Sequence, residues 1–531
     1  MVLGTSSHVG KSLLTAAFCR IFAQHGYRVA PFKSQNMSLN SAATIEGLEI
    51  GRAQALQAEA AGIAPSVHMN PILIKPSGDS SSQVVVRGRI WGRVTAADYH
   101  QRRVEELLPV VRESYETLAA LHDILILEGA GSPAEINLKQ HDIANMRMAE
   151  MADAHCLLVG DIDRGGVFGS LLGTLELLDG PERKRIRGFV INKFRGDASL
   201  LEPGIQMIEE RVQIPCIGVV PYLPSLMLEE EDSLGLPFPT QEKWTLDTCS
   251  DQSPHRPLRV AVIAVPSFSN FTDFDSLRAE PSVSLLFCRN SAAIAQADVV
   301  IVPGSKQTVD DLLWLHEQHL DIAVQKHAQR SLVVGICGGM QMLGEAISDP
   351  SGMERQGSIA GLGLLPIRTI MQTNKITRNV TGKMAASRLF GQPVMNATLS
   401  GYEIHIGQTT DQAKGMHFAV LSTGSGSSDL NNDGCVSADE RVFGTYLHGL
   451  FDNDNFRHQF LLAARAFHKL APPDGLHRWK QLREDSMNRL AREVEKALDM
   501  EAIFGWLGLS YSSIAQPDAV ISHSRREGIA R

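Results

Sequence analysis

Leu332-Val333-Val334-Gly335-Ile336-Cys337-Gly338-Gly339-Met340-Gln341-Met342-Leu343 is an aliphatic run that breaks at a cysteine into an amphipathic segment. The run predicts a buried strand and the residues after Cys337 predict a helix. Glycines on both sides free the backbone for a sharp strand-to-helix turn, and the helix N-terminus together with a nearby base favours thiolate over thiol. A cysteine that only fills core space has no need of those glycines. Strands that feed helices through such turns build open α/β sheets, which present their chemistry at the carboxyl edge.

Towards the C-terminus, Val442-Phe443-Gly444-Thr445-Tyr446-Leu447-His448-Gly449-Leu450-Phe451 reads as a strand ending on a histidine, the residue type best suited to exchange protons near neutral pH. Cysteine first and histidine later is the order of the class I glutamine amidotransferases. The block Gly335 to Gly344 resembles their nucleophile elbow, with Gln341 matching the family glutamine. The resemblance implies Cys337 as nucleophile and His448 as its base. The backbone N–H of Gly338 is one candidate oxyanion donor, and the turn Val302-Pro303-Gly304-Ser305 resembles the oxyanion loop of the class, which adds Gly304. Ordinary members carry a glutamate two residues after the histidine, where this chain has Leu450, so the triad is a dyad by sequence. Glu403 or His405, at the end of an apolar strand, could orient His448; contact with substrate or a structural role is the other reading of both.

A second chemistry opens the chain. Gly4-Thr5-Ser6-Ser7-His8-Val9-Gly10-Lys11-Ser12 is a phosphate loop followed by an apolar helix. Its N–H groups, those of Gly4, Thr5 and Gly10 among them, and the helix N-terminus cradle phosphate oxygens, Lys11 reaching the outer phosphates and Ser12 taking a place on Mg²⁺. Thr5 stands where the usual pattern has its first glycine, and Gly4 lies one place earlier, a spacing that resembles dethiobiotin synthetase. Only Met1 to Leu3 precede the loop, so the first strand is expected to be short or the start late, weakening the core beneath it and the affinity for ATP. Strand Asp123 to Leu127 ends on Glu128, placed as the metal-holding acid beside Ser12. Strand Arg28 to Phe32 delivers Lys33 to the same edge, Asp161 closes another strand, and Asn192 ends a further one where it is placed to read an adenine edge. Lys193 and Arg195 are read either as site residues or as solvated rim charges.

Taken together, these blocks resemble the cobyric acid synthase family. The further matching stretches are Phe32 to Asn40, Asn70 to Pro76, Ser269-Asn270-Phe271-Thr272-Asp273-Phe274-Asp275, Pro303 to Lys306 and Gly401 to Gly407. The resemblance implies a dethiobiotin synthetase-like ATP domain fused to a class I glutamine amidotransferase domain. It also implies amidation of the b, d, e and g carboxylates of adenosylcobyrinic acid a,c-diamide, with ATP and Mg²⁺ as cofactors and with glutamine and a corrinoid polycarboxylate as substrates. The a,c-diamide synthase of the same pathway, or another amidase of this architecture, is the nearest alternative. A partitioning-type ATPase is a distant one, since those proteins carry a signature lysine where this chain has Ser6 and have no use for Cys337. Ser269 to Asp275 is expected at the corrin carboxylates or the domain junction.

The fold class expected is α/β: a P-loop parallel-sheet domain over 1–222, a linker over 223–257, an amidotransferase domain over 258–455, C-terminal helices over 456–511 and a disordered tail over 512–531. The acidic run Glu229-Glu230-Glu231-Asp232 in the linker reads as a solvated face, and 424–440 as a surface loop. A chain of 531 residues, 44% hydrophobic, can bury two or three cores. A net charge of −9 argues against nucleic acid and anionic membrane as partners. No apolar run spans a bilayer and the start lacks a signal peptide, so a cytoplasmic location is expected, with the oligomeric state open. Seven cysteines without a repeated spacing suggest neither disulfides nor zinc.

Overall fold

The structure is a computed structural model and describes residues 1–77, 81–95, 98–99, 104–229, 244, 253–411, 416–423 and 430–512. The parallel core of the N-terminal domain is built from β1 (Val2–Gly4), β2 (Val29–Phe32), β3 (Ile124–Leu127), β4 (Cys156–Asp161), β5 (Ile186–Phe194) and β6 (Cys216–Pro221). β1, β4, β5 and β6 form a parallel sheet in that order, and β2 pairs with β3 in parallel. A parallel bridge from Val2 to Glu128 joins the two pieces, so β1 is a central strand although it is only three residues long. The aliphatic sequences of β1, β2 and β4 are wholly buried, as in strands covered on both faces, while the edge strand β6 is largely half-buried.

Helix α1 (Lys11–Gln24) follows the phosphate loop and buries Leu14, Ala17, Phe18, Ile21 and Phe22, an apolar stripe at helical spacing. A hairpin of Ser41–Ala43 and Glu49–Gly51 projects from this domain.

The C-terminal domain repeats the plan. Strands β7 (Leu258–Ile263), β8 (Val283–Cys288), β9 (Val299–Val302), β10 (Leu332–Ile336) and β11 (Val442–Thr445) form a sheet in the order β8, β7, β9, β10, β11, all parallel, with Cys435–Val436 added antiparallel at the edge. A second, mostly antiparallel sheet is built on the long strands Ile367–Met384 and Thr398–Asp411. Helix α2 (Gly338–Leu343) leaves the end of β10, and α3 (Asp454–Phe467) packs Phe456 and Phe460 into the same core.

The last helices do not stay with this domain. Helix α4 (Trp479–Ala497) and helix Met500–Trp506 cross back to the first, where Met487, Leu490, Val494 and Phe504 share a core with Phe18 and Phe22. Phe22 and Phe504 stack with ring centres 4.8 Å apart. On α4, Trp479, Met487, Leu490 and Val494 form a buried face at helical spacing, with Leu482 half-buried at its edge.

The linker departs from expectation. Glu229 is not solvated: it is 6% exposed and its Oε1 pairs with Arg52 at 2.8 Å and Arg483 at 2.7 Å. A carboxylate removed from water persists only with such partners, and together the guanidinium groups overcome burial and hold its pKa down at about 2. Glu230 to Asp232, most of the stretch from Pro237 to Pro257, part of loop 424–440 and all but the first residue of the tail lie outside the described residues. Six of the seven cysteines are described, and all six are free thiols.

Candidate functional site

At the C-terminal site, Cys337 caps α2 with φ 51° and ψ −111°, a conformation that L residues rarely adopt. The turn is enforced by packing, since a Cβ on Gly339 would lie 1.9 Å from the Val302 carbonyl oxygen and one on Gly335 would lie 2.7 Å from Met340 backbone. Only glycine lets α2 sit so close to β9 and β10. Cys337 N–H donates to Thr445 O at 2.8 Å, which ties the elbow to β11. Gln341 donates from Nε2 to the Tyr446 hydroxyl at 2.9 Å behind it.

Past the end of β11 stands His448, 1% exposed, near enough to Cys337 for the thiol to favour a charge on the ring, while the thiol itself donates to Ile404 O at 3.5 Å. Its Nδ1 lies 2.7 Å from Asp273 Oδ2, while Asp273 Oδ1 accepts the Gly449 N–H at 2.9 Å. Asp273 therefore makes a third member beside Cys337 and His448, which corrects the dyad read from the sequence. Neither candidate orienter holds the ring. Glu403 is paired with Arg378, and His405 directs Nδ1 to Gly407 O at 2.8 Å and stacks on Tyr446. Burial opposes a charge on His448, but Asp273 and the Cys337 thiol overcome it and raise its pKa to about 10. Tyr402 stacks on the ring with centres 5.2 Å apart.

Gly338 and Gly304 converge on this place. A Cβ on Gly304 would lie 3.3 Å from His448 Cε1, and one on Gly338 would lie 3.1 Å from Ser305 N. Two lysines stand close by in unusual states. Burial and neighbouring lysines bring Lys306 down to about 7, and burial brings Lys375 to about 8 even though it pairs with Glu49 of the N-terminal hairpin.

In the N-terminal domain the loop from Thr5 to Gly10 wraps the start of α1. Lys11 Nζ lies 3.0 Å from both Ser6 O and Gly131 O, Thr5 N–H donates to Val159 O at 2.9 Å, and Gly4 leaves room for Lys11, whose Nζ would lie 3.0 Å from an added Cβ. Ser12 Oγ donates to Glu128 Oε1 at 2.9 Å, which brings the two expected metal residues together. Lys33 is directed to Glu128 at 2.7 Å, and Gln57 donates to the other carboxylate oxygen at 2.6 Å. Asn192 donates to Val9 O at 2.8 Å and lies against Gly10, bracing the loop. Lys193 bonds His8 O and Asp161, and Arg195 pairs with Asp163 over the Tyr222 ring. Beside the loop is a cavity of about 1330 Å³ whose walls include Lys11, Lys33, Asn36, Ser132, Asn145 and Arg147.

The two sites meet through Ser269 to Asp275. Ser41 N–H donates to Asn270 Oδ1 at 3.0 Å and Phe271 N–H to Asn40 Oδ1 at 3.2 Å, so the stretch lies at the domain junction as one of its two expected places. Its catalytic-site member, Asp273, was missed; the signal present in the sequence was an acid in a polar turn just past the carboxyl end of β7, the edge where α/β sheets place their sites.

Comparison with known proteins agrees with this pairing of sites. Residues 1–235 match the CobQ/CobB/MinD/ParA nucleotide binding domain, and residues 259–456 match the CobB/CobQ-like glutamine amidotransferase domain. The cobyric acid synthase of Thermoanaerobacter sp. (strain X514) is 46% identical over 507 residues, 95% of this chain and 97% of that protein. The chain belongs to the cobyric acid synthase family. Members from Moorella thermoacetica and Listeria monocytogenes serotype 4a are 46% and 45% identical over 511 and 507 residues, covering 96% and 95% of this chain and 97% and 95% of those proteins. It is a glutamine-hydrolysing amidating ligase with an ATP-binding domain. Among the described residues no helix is long and apolar enough to cross a membrane.

Proposed function

We propose that this family member amidates the b, d, e and g carboxylates of adenosylcobyrinic acid a,c-diamide, energising each with ATP and drawing ammonia from glutamine in the same molecule. The observation that carries the reading is the presence, in one chain and in contact across one junction, of a phosphate loop beside a large cavity and a Cys337–His448–Asp273 triad. A carboxylate resists ammonia because oxide is a poor leaving group; transfer of the γ-phosphoryl to its oxygen, with ADP leaving, gives an acyl phosphate, and ammonia attacks its acyl carbon and expels inorganic phosphate. Lys11 neutralises charge on the transferring phosphoryl and the loop N–H groups hold the nucleotide. Ser12 and Glu128 suit Mg²⁺, a hard ion that takes one or two protein oxygens and shares the rest with phosphates. Bound there, the ion would offset phosphate charge. Lys33 and Gln57, which now hold the carboxylate, set its position. The cavity exceeds the ~300–1000 Å³ of ordinary ligand pockets, as a nucleotide beside a macrocycle requires.

In the glutaminase half, Cys337 thiolate attacks the amide carbon and the His448 imidazolium donates its proton to the departing nitrogen. The ring then takes a proton from the water that opens the thioester. Gly338 and Gly304 supply the oxyanion hole, where each lost donor costs about 10²–10³ in rate.

The test incubates the protein with ATP, Mg²⁺, the a,c-diamide and either glutamine or ammonium, and counts added amides by mass. Four additions are expected from either nitrogen source. Cys337→Ala should lose the glutamine reaction and keep the ammonium one. No addition to any corrinoid, or loss of both reactions in Cys337→Ala, refutes the reading.

A further inference from the structure

One side chain spans the two halves at the catalytic histidine. Asn270 is 5% exposed and sits in left-handed backbone, φ 54° and ψ 46°, at the head of the turn that carries Asp273. Its Oδ1 accepts the Ser41 N–H of the ATP-binding domain at 3.0 Å, and its Nδ2 lies 3.4 Å from both Nδ1 and Nε2 of His448. The two ends of a carboxamide have opposite polarity, and a backbone N–H can only donate. Ser41 therefore decides which end meets the imidazole: with the oxygen committed across the junction, the NH₂ group is left against the ring.

That edge carries partial positive charge and opposes a second proton on the imidazole. The remaining groups that face the ring are Asp273 on Nδ1, the Cys337 thiol, the stacked phenol of Tyr402 and, more weakly, His405, while Lys375 stands near Cys337. Asp273 and Cys337 hold the proton on the ring; Asn270 is the polar contact that pushes it off. Catalysis needs the push, because the imidazolium must surrender its proton to the leaving nitrogen.

We propose that Asn270 is a positioning residue through which the ATP-binding domain sets the proton affinity of His448, so that ammonia leaves readily only while the Asn40–Ser41 segment is docked. The proposal rests on the reading of Cys337 and His448 as the glutaminase pair. The docked segment begins a few residues after Lys33, whose ammonium is held on Glu128 beside Ser12 of the phosphate loop. A shift at the nucleotide site thus has a short covalent route to Ser41. Once that contact is lost the carboxamide is free to turn, and its oxygen then retains the proton on the ring.

The test reads glutamine hydrolysis against pH in the full chain, with ammonium-supported synthesis as the check on the ATP-binding half. Asn270→Leu removes the amide at similar volume and should move the alkaline limb of the profile up by about half a unit or more. The same variant should lower glutaminase kcat/KM about tenfold and leave ammonium-supported synthesis within about twofold. Asn40→Ala, which removes the acceptor of the Phe271 N–H and so loosens the docked segment, should lower the rate and move the limb in the same direction by a smaller amount. An unmoved limb in either Asn270→Leu or Asn40→Ala overturns the proposal. Should Asn270→Leu fail to fold, Asn270→Ser is read by the same criteria. Cys337→Ala tests the underlying reading separately: continued use of glutamine by that variant would remove the glutaminase pair itself, whatever the pH profiles show.

Discussion

At the level of single residues, Asp273 replaces the glutamate that related amidotransferases carry two places after the histidine. The substitution works because an orienting carboxylate need only reach Nδ1, and the turn Phe271–Phe274 brings Asp273 there from the loop that follows β7. Asp273→Asn should therefore lower glutamine hydrolysis by about 10²–10⁴-fold, as loss of tautomer control does in comparable triads, while ammonium-supported synthesis is retained. A steady-state assay with both nitrogen sources checks this. The same contact has a pH signature. The pKa of His448 is raised in the folded chain, so its contribution to stability is full below the ordinary value of about 6.5 and is lost as pH rises through about 10. The stability gap between wild type and Asp273→Asn, measured by denaturant midpoints, should accordingly narrow from pH 7 to pH 10. Cys337 and His448 were legible in the sequence because each sits in a local pattern that only a reactive turn or a strand end explains. Asp273 was not, because its partner is 175 positions away and an acid in a polar turn has many other uses. Lys33 and Asn192 were placed at the right edge of the sheet, but their hydrogen bonds to Glu128 and to the loop depend on side-chain directions that strand patterns do not specify.

Among the elements, the nucleophile elbow and the phosphate loop are the same device: a strand ends, the chain turns through an unusual φ, and a helix begins. Cys337 at φ 51° and Gly10 at φ 98° occupy equivalent places before α2 and α1. Both devices were readable because glycine spacing and aliphatic runs determine them. Gly339→Ala would force a methyl group into the Val302 carbonyl, and since that neighbour is backbone the strand must move. We expect a loss of about 1–3 kcal/mol or more by chemical denaturation, together with loss of glutamine hydrolysis. The hairpin Ser41–Ala43 with Glu49–Gly51 escaped the sequence reading for the opposite reason. Its strands are three residues each and are stabilised by the partner domain, through Lys375 on Glu49 and Asn379 on the carbonyl of Thr44, rather than by an alternating pattern of their own.

On the scale of the whole molecule, the fold class followed from repeated strand and helix patterns, whereas the course of the last helices did not: amphipathicity says that a face is buried and not against which body. Arg483 on α4 makes the point, joining Glu229 of the linker at 2.7 Å and Glu59 of the ATP-binding domain at 2.6 Å. Arg483→Met strands the buried Glu229 with Arg52 as its remaining ionic partner, and should cost about 3–5 kcal/mol in a urea titration. The return of α4 also makes the polypeptide a closed clasp. A proteolytic nick introduced between Glu229 and Leu258 should yield two fragments that co-elute from a sizing column under native conditions and separate only in denaturant, because the later fragment still supplies part of the earlier one's interior. Truncation after Phe467 does the reverse. It spares every triad residue yet bares the aromatic flank of α1 at Phe18 and Phe22, so damage at one end of the gene would be felt at the other.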